Sequence, residues 1–324
     1  MRIHVLVCDQ VFDTGLSTLL DTFSVANELR DATVGGAGKK LFDVSIVGVR
    51  KRVHTSQGLL VPVRSVDALI KQRPDVVLVP AMGAKMPGPL REALQRRDVA
   101  DVGPLLRQWA AQGAITGAAC TGTFVLAQAG LLDGEMATTS WWLAPMFREC
   151  FPRVILDESR MLVTSARCIT AGAALAHLDL ALSLVRSVSP ELAALTARYL
   201  VMDPRPSQAA FVIPDHLAHS DSVVERFERW ARQELKSGFS LSGAARGVGT
   251  SERTLARRMR AVMGKSPLSY FQDLRVERAV HLLQTSDASV DQIAAQVGYA
   301  DGVTLRNLLR RRIGRGVREL RASQ

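Results

Sequence analysis

The sequence has no CxxC pair, no apolar run long enough to cross a bilayer and no small-residue cleavage site near its start. Its four cysteines lie far apart in the 324 residues, so neither a disulfide framework nor a zinc site is indicated. A membrane-spanning helix needs roughly 18 or more apolar residues in a row, which excludes such a helix. We therefore expect a cytoplasmic protein with no membrane partner, no bound metal and no cofactor.

The composition excludes a disordered chain, because 47% of the residues are hydrophobic and 22% are charged. A single hydrophobic core rarely supports more than roughly 250 residues, so two domains are expected. Their charges differ. Residues 218–324 contain 19 basic and 11 acidic residues, whereas residues 1–217 contain 22 and 20. The basic module suggests a polyanionic partner, most commonly nucleic acid, although a solvated basic face would carry the same charge.

The first half of the chain alternates apolar runs with helical periodicity. Strands are predicted at 3–8, 42–49, 75–80, 113–120, 154–156 and 161–165, and helices at 16–29, 65–71, 102–112, 123–129 and 173–188. The run 75–80 is apolar on both faces, which is typical of a central strand in a helix-covered parallel sheet. The pattern predicts a doubly wound α/β domain with ligand chemistry at the carboxyl ends of its strands.

Three prolines and several turn-forming residues mark residues 203–222 as a linker. Beyond it the sequence shows only helical patterns, at 223–236, 241–247, 253–263, 267–284, 290–297 and 303–313. We therefore expect an α/β domain over 1–195, a linker over 196–222 and an all-α domain over 223–324.

The all-α domain repeats one layout at an interval of about fifty residues. Residues 240–251 and 289–301 each form a short helix with an Ala-Ala pair and a glycine-containing turn, and an arginine-rich helix follows each of them. Ser251 and Asp301 stand where N-caps belong. The pattern predicts two helix-turn-helix motifs.

Four segments in this region, 251–258, 264–270, 274–283 and 293–299, resemble the AraC/XylS DNA-binding domain. The resemblance implies two recognition helices that enter successive major grooves, held apart by the helix at 267–284. The expected base-facing residues are Arg253, Thr254 and Arg257 in the first helix, and Val303, Thr304, Arg306 and Asn307 in the second. The expected phosphate-facing residues are Arg258, Arg260, Arg310 and Arg311.

Cys120 ends a predicted strand and is followed directly by a predicted helix, which is the layout of a nucleophile elbow. A helix N-terminus favours thiolate, so a lowered pKa is expected for this cysteine. The segment 118–134, with 137–142 after it, resembles the ThiJ/PfpI family, and the whole chain resembles the GlxA-family transcriptional regulators. The resemblance implies a flavodoxin-like fold and a ligand pocket formed by Asp13, Gly83, Cys120, Thr121, Ser140, Trp141 and His177.

The position before the first tryptophan is commonly histidine in the family, whereas this chain has Ser140. Without that base we expect no catalysis by Cys120. We expect a cysteine that only lines the pocket, and a catalytic nucleophile and a redox sensor stay open as alternatives. His177 is a substitute base or a core residue. Asp13 is the family's acidic neighbour of the cysteine or a turn residue, and an alignment shifted by two residues would put Gly15 there instead.

The leading interpretation is a sequence-specific transcriptional regulator whose N-terminal domain senses a small molecule or mediates dimerisation. Its expected partners are double-stranded DNA, a second copy of the chain and a small-molecule effector, with RNA polymerase as a further candidate. A cysteine-dependent hydrolase or hydratase with a nucleic-acid-binding appendage is the alternative, and a nonspecific architectural DNA binder is a third reading.

Overall fold

The computed structural model describes residues 1–30, 40–65, 73–203, 205, 207–208, 221–314 and 316–321. The chain forms two compact units, Met1–Ala209 and Ala210–Gln324. Within the described ranges, no helix is both long and apolar enough to cross a membrane.

The first unit is built on a central sheet. Its strands are β1 (Arg2–Leu6), β2 (Asp43–Gly48), β3 (Arg52–His54), β4 (Leu60–Pro62), β5 (Arg64–Ser65), β6 (Val76–Val79), β7 (Ile115–Ala119), β8 (Met136–Ala137), β9 (Ile155–Leu156), β10 (Leu162–Ser165) and β11 (Cys168–Ala171). Seven of them form one sheet in the order β10-β11-β7-β6-β1-β2-β5. All neighbours in it pair in parallel except β10 and β11, and Val5 lies opposite Ile46 on one side and Leu78 on the other.

Helices cover both faces of this sheet. They are α1 (Asp13–Leu29), α2 (Pro87–Leu94), α3 (Arg97–Ala111), α4 (Gly122–Gln128), α5 (Ala144–Cys150), α6 (Ala176–Val188) and α7 (Pro190–Tyr199). Trp109 and Phe124 belong to the core on one face, which α2 to α5 cover. Phe23 and Leu184 belong to the core on the other face, under α1, α6 and α7. The predicted doubly wound α/β fold is therefore confirmed.

Strand β6 lies at the centre of the sheet, and all its residues are buried. Val77 and Val79 contribute to one core, while Val76 and Leu78 contribute to the other. The alternation follows from the two-residue period of a strand. It explains why this run is apolar at every position, as the prediction of a central strand required.

Several elements were not predicted from the sequence. Helices α2, α5 and α7 and strands β3, β4, β5, β8 and β11 were missed, and α3 begins at Arg97 rather than at 102. Its polar first turn is stabilised because Asp98 accepts a hydrogen bond from the backbone N–H of Asp9, at 2.8 Å, and pairs with Arg96. The helix predicted at 65–71 falls almost entirely outside the described residues. The segment predicted as a linker starts within α7, which continues to Tyr199.

The second unit is all-α, as predicted, and its described residues contain no strand. Its helices are α8 (Ser222–Gln233), α9 (Leu241–Gly247), α10 (Glu252–Met263), α11 (Pro267–Thr285), α12 (Val290–Gln296), α13 (Gly302–Ile313) and α14 (Val317–Arg321). Ser251 accepts a hydrogen bond from the backbone N–H of Thr254, at 3.1 Å, and Asp301 from that of Thr304, at 2.7 Å. Both predicted N-caps are confirmed.

The start of α4 generates a prediction about stability. A Cβ on Gly122 would overlap the carbonyl oxygen of Val79 and lie 2.8 Å from that of Pro80. Because both obstacles are backbone atoms, we expect Gly122→Ala to lower the free energy of unfolding by about 3 kcal/mol. Gly117→Ala is the matched control and should cost about 1 kcal/mol, since its Cβ would meet only the rotatable end of Leu78. Chemical denaturation followed by tryptophan fluorescence measures both, and equal losses would contradict the steric argument.

Candidate functional site

Cys120 occupies the sharp turn between β7 and α4. Its backbone φ of +55° lies in the left-handed region, which residues other than glycine rarely adopt. The turn is fixed because the backbone N–H of Cys120 donates to the carbonyl oxygen of Ala171 in β11, at 2.9 Å. The elbow predicted from the sequence is therefore confirmed as a backbone feature.

The side chain of Cys120 is sealed inside the unit. The residue is only 2% exposed, and its Sγ accepts a hydrogen bond from Ser140 Oγ at 2.8 Å. The neighbouring Thr139 donates from Oγ1 to the Cys120 carbonyl oxygen at 2.7 Å. The serine that replaces the family's histidine thus contacts the sulfur directly, but as a hydrogen-bond donor.

Burial raises the pKa of the Cys120 thiol, because the thiolate would lose its hydration. The hydrogen bond from Ser140, the backbone N–H of Thr121 and the charge of Lys85 oppose this shift without reversing it. The expected lowering of the pKa by the helix N-terminus is therefore wrong. Helix α4 has only 7 residues, and desolvation of the sulfur outweighs its partial charge.

His177 is a core histidine with both ring nitrogens engaged. Its Nε2 accepts a hydrogen bond from the backbone N–H of Ala81 at 3.0 Å, and its Nδ1 lies 2.7 Å from the carbonyl oxygen of Ala174. A carbonyl can only accept, so Nδ1 carries the proton of a neutral ring. Burial lowers the pKa of His177 to about 4. The imidazole therefore has no nitrogen free to take a proton from Cys120.

Asp13 connects the start of α1 to a neighbouring turn. Its Oδ2 accepts hydrogen bonds from Ser56 Oγ at 2.8 Å and from the backbone N–H of Gln57 at 3.1 Å. Burial acts to raise the pKa of Asp13, but hydrogen bonds to the carboxylate, including one from Thr55, lower it overall. These contacts fit the turn-residue reading. At the shifted alignment position, a Cβ on Gly15 would lie 2.6 Å from the Nε2 of His177, so no acidic side chain fits there.

The other expected pocket residues are divided between the interior and an open cleft. Thr121 is fully buried, and its hydroxyl bonds both the N–H and the carbonyl oxygen of Met82, while Trp141 is only 7% exposed. Gly83 alone of the expected set lines the cleft, whose volume is about 490 Å³. The cleft residues are Gln10, Ser56, Gln57, Gly83, Ala84, Lys85, Pro89, Glu92, Ala93 and Arg96.

Lys85 is the cleft cation that sequence reasoning missed. Its Nζ lies 4.3 Å from the ring centroid of Phe12, and it forms no ion pair with a described residue. Arg96, in contrast, is already bonded to Asp98. The available signal was the position of Lys85 shortly after β6, because ligands of parallel α/β sheets bind beyond the carboxyl ends of the strands. The described residues contain no group of three or more His, Cys, Asp or Glu that could hold a metal.

Gln208 is a second residue that the sequence did not single out. Its side chain is fully buried, and its Nε2 donates to the carbonyl oxygens of Thr139, at 2.8 Å, and Arg160, at 3.1 Å. Its Oε1 accepts from the backbone N–H of Trp141 at 3.3 Å. A Cβ on Gly172 would overlap this amide. The amide thus fills a space beside the segment that carries Ser140.

The two arginine-rich helices present their charged residues to solvent. In α10, Leu255 and Met259 face the core, while Arg253, Arg257 and Arg260 are exposed. In α13, Leu305 and Leu309 are buried, and the outward residues are Val303, Thr304, Arg306, Asn307, Arg310 and Arg311. None of the six exposed arginines at 253, 257, 260, 306, 310 and 311 forms an ion pair within the described part of the chain.

Three expected DNA-facing residues also make local contacts. Arg258 pairs with Asp221 at 3.3 Å, and Asp221 is itself the N-cap of α8. The hydroxyl of Thr254 accepts from Ser251 Oγ at 2.9 Å, and that of Thr304 donates to Asp301 at 3.3 Å. Thr254 and Thr304 thus bond the N-cap residues of their own helices, and Arg258 bonds the N-cap residue of α8.

These observations define a class of protein with an α/β unit that holds a sealed elbow cysteine and an all-α unit that holds two helix-turn-helix motifs. The model of the DJ-1/PfpI family matches residues 1–187, more than half of the chain, and that of a helix-turn-helix domain matches residues 244–323. The chain belongs to the DJ-1/PfpI family and combines its domain with an AraC-type helix-turn-helix region.

The chain is similar to several proteins named as HTH-type transcriptional regulators. CdhR of Pseudomonas aeruginosa is 29% identical over 210 residues, 61% of each chain. GbdR of the same species is 27% identical over 304 residues, 92% of this chain and 77% of the relative. The match to CdhR thus spans less than two thirds of that relative's length. An AraC family transcriptional regulator from Pseudomonas putida shares the fold, with a TM-score of 0.51 and 19% identity over 61% of this chain and 98% of its own.

The buried thiol predicts the order in which the cysteines react. Iodoacetamide near neutral pH should modify the partly exposed Cys150 before Cys120, because burial and a raised pKa both lower the reactive thiolate fraction of Cys120. Ser140→Ala should slow Cys120 further, since it removes a hydrogen bond that lowers this pKa. Peptide mass spectrometry over time measures both rates, and Cys120 reacting first would contradict the sealed site.

Proposed function

We propose that the protein is a sequence-specific DNA-binding transcriptional regulator whose N-terminal unit senses a ligand and pairs with a second copy. The main observation in support is that α10 and α13 both expose arginine side chains that have no acidic partner in the described residues. Arginine can bond bidentately to guanine in the major groove, and phosphates attract the remaining cations. The naming of the similar proteins as transcriptional regulators supports the same function.

Within this proposal, Arg253, Thr254 and Arg257 read one DNA element, and Val303, Thr304, Arg306 and Asn307 read the other. Arg260, Arg310 and Arg311 bind phosphates. Arg258 has Asp221 as an internal partner, so we assign it a smaller share of phosphate binding. The excess of 19 basic over 11 acidic residues in 218–324 supports DNA as the partner, and a cytoplasmic location agrees with that target.

We propose that Cys120 does not act as a catalytic nucleophile. The pKa of its thiol is raised, and the neighbouring Ser140 is a hydrogen-bond donor rather than a base. Both ring nitrogens of His177 are bonded to backbone groups. A thiol needs a nearby base or a lowered pKa to act as a nucleophile, and neither is present in this arrangement. The hydrolase or hydratase alternative is therefore not favoured.

We place the effector site in the open cleft beside Gly83. Its volume of about 490 Å³ lies within the range of small-molecule sites. Lys85 supplies a cation that has no ion-pair partner among the described residues, which favours a ligand with a negatively charged group. RNA polymerase is a further candidate partner, as expected for a regulator that acts on transcription.

The recognition helices generate a prediction about DNA binding. Arg257→Ala and Arg306→Ala should each weaken binding to a selected sequence by roughly 1 to 3 kcal/mol and relax selectivity in one element. Arg260→Ala is the comparison: it should weaken all sequences about equally and reduce the salt slope by about one unit. Binding titrations at several salt concentrations, on selected and random duplexes, measure these effects. Unchanged sequence preference in both of the first two variants would refute the proposal, and wild-type binding without any preference would favour the architectural reading.

The dimer proposal is supported by large apolar side chains on the surface of the first unit, where Tyr199 is 66% and Val201 91% exposed. A two-fold dimer would present two DNA-binding units to repeated sites and raise affinity through effective concentration. Sedimentation of the full chain at micromolar concentration, free of nucleic acid, should give twice the mass of one chain. A single monomeric species under these conditions would contradict the proposal.

A further inference from the structure

Arg275 is a buried cation in α11, the helix that connects the two helix-turn-helix motifs. It is 8% exposed and forms no ion pair with any residue that the structure describes. Removing a guanidinium from water is costly, and no carboxylate compensates for that cost here. A buried arginine of this kind adds little to the free energy of unfolding. We therefore look to its contacts for its structural role.

The contacts of Arg275 join the two motifs. Its Nε donates to the carbonyl oxygen of Leu235 at 3.0 Å, and Leu235 lies between α8 and α9, just before the first motif. Helix α8 packs against both helices of that motif, α9 and α10. The guanidinium carbon lies 5.2 Å from the ring centroid of Tyr299, in the turn of the second motif. It also lies 4.8 Å from the ring of Phe271 on its own helix. One guanidinium therefore joins the segment that leads from α8 into the first motif to the turn of the second motif.

Gly298 brings the turn of the second motif against this guanidinium. Its φ is +81°, and a Cβ would overlap Arg275 Nη2 and lie 2.5 Å from the carbonyl oxygen of Leu235. The turn of the second motif thus approaches the backbone just before the first motif, with the side chain of Arg275 between them. We name Leu235, Arg275, Gly298 and Tyr299 the Arg275 junction.

A second residue of α11, Asp273, also connects the two recognition helices. Asp273 accepts from Lys265 Nζ at 2.9 Å and from Arg312 Nη1 at 2.7 Å. Lys265 follows the first recognition helix, and Arg312 lies in the last turn of the second. These two ion pairs support the same geometry, but they are partly exposed and therefore constrain the helices less than a buried contact does.

We propose that Arg275 is a positioning residue that fixes the separation and rotation of α10 and α13, so that the protein accepts two DNA elements at one spacing only. The proposal rests on the DNA-reading function proposed above. It follows because a cation held by Leu235 on one side and by the 298–299 turn on the other leaves the two motifs no independent movement at this point.

The test uses the full chain and a duplex that the wild type selects from random DNA, with one or two base pairs inserted between the two protected elements. Each inserted base pair rotates the second element by about 35°. The wild type should lose roughly a hundredfold in affinity on insertion, because binding through both helices gains roughly a hundredfold over binding through one. Arg275→Met, which removes the donor and the charge, should bind the original duplex about tenfold more weakly and lose less than about threefold on insertion.

Two further variants make this result specific. Arg275→Lys keeps the charge and one donor, and it should restore part of the penalty for insertion. Arg278→Met removes an exposed arginine from the same helix and should keep the wild-type penalty. A wild-type penalty in Arg275→Met would overturn the proposal, and so would a lost penalty in Arg278→Met.

Hydrogen exchange without DNA separates this proposal from the proposed function. In Arg275→Met, exchange should rise in residues 234–240 and 296–301 and stay unchanged in the N-terminal unit. An unchanged junction, or an equal rise along every helix from α9 to α14, would overturn a positioning role. If the wild type selects no sequence, the proposed function fails, while the exchange data still decide whether Arg275 couples the motifs.

Discussion

The close approach of the turn at Cys120–Gly122 to the end of β6 constrains everything else in the N-terminal unit. With no side chain at Gly122, α4 can start directly on the carbonyl groups of Val79 and Pro80. The cysteine before it is then forced into the left-handed region and into the protein interior. The geometry of an elbow is retained, yet burial disfavours the thiolate that elbow chemistry requires.

The arginines of the second unit have two separate uses. Those on the outer faces of α10 and α13 lack acidic partners within the described residues and are available to a polyanion. Arg258, Arg275 and Arg312 bind Asp221, the Leu235 carbonyl oxygen and Asp273 instead. The total charge of a basic domain therefore overstates the number of cations that DNA can contact.

The fold class and the local features were predictable from the sequence, whereas the surroundings of individual side chains were not. The N-caps at Ser251 and Asp301 and the apolar strand β6 depend on residues close together in the chain, so their patterns are visible directly. The raised pKa of Cys120 depends on burial by segments that are distant in the sequence, and residue spacing does not predict such burial. Lys85 and Arg275 were missed for a related reason. A lone cation in a sequence looks like any solvated lysine or arginine until the fold shows what surrounds it.

The buried amide of Gln208 determines where the N-terminal unit can be separated from the rest of the chain. Gln208 comes late, after the last helix of the unit, but it donates to the carbonyl oxygens of Thr139 and Arg160 and accepts from the N–H of Trp141. A fragment ended at 195 would lose these bonds and leave an empty polar slot beside the segment that carries Ser140. Water entering that slot would reach the neighbourhood of the sulfur. A truncated fragment could therefore show a cysteine reactivity that the intact chain does not have.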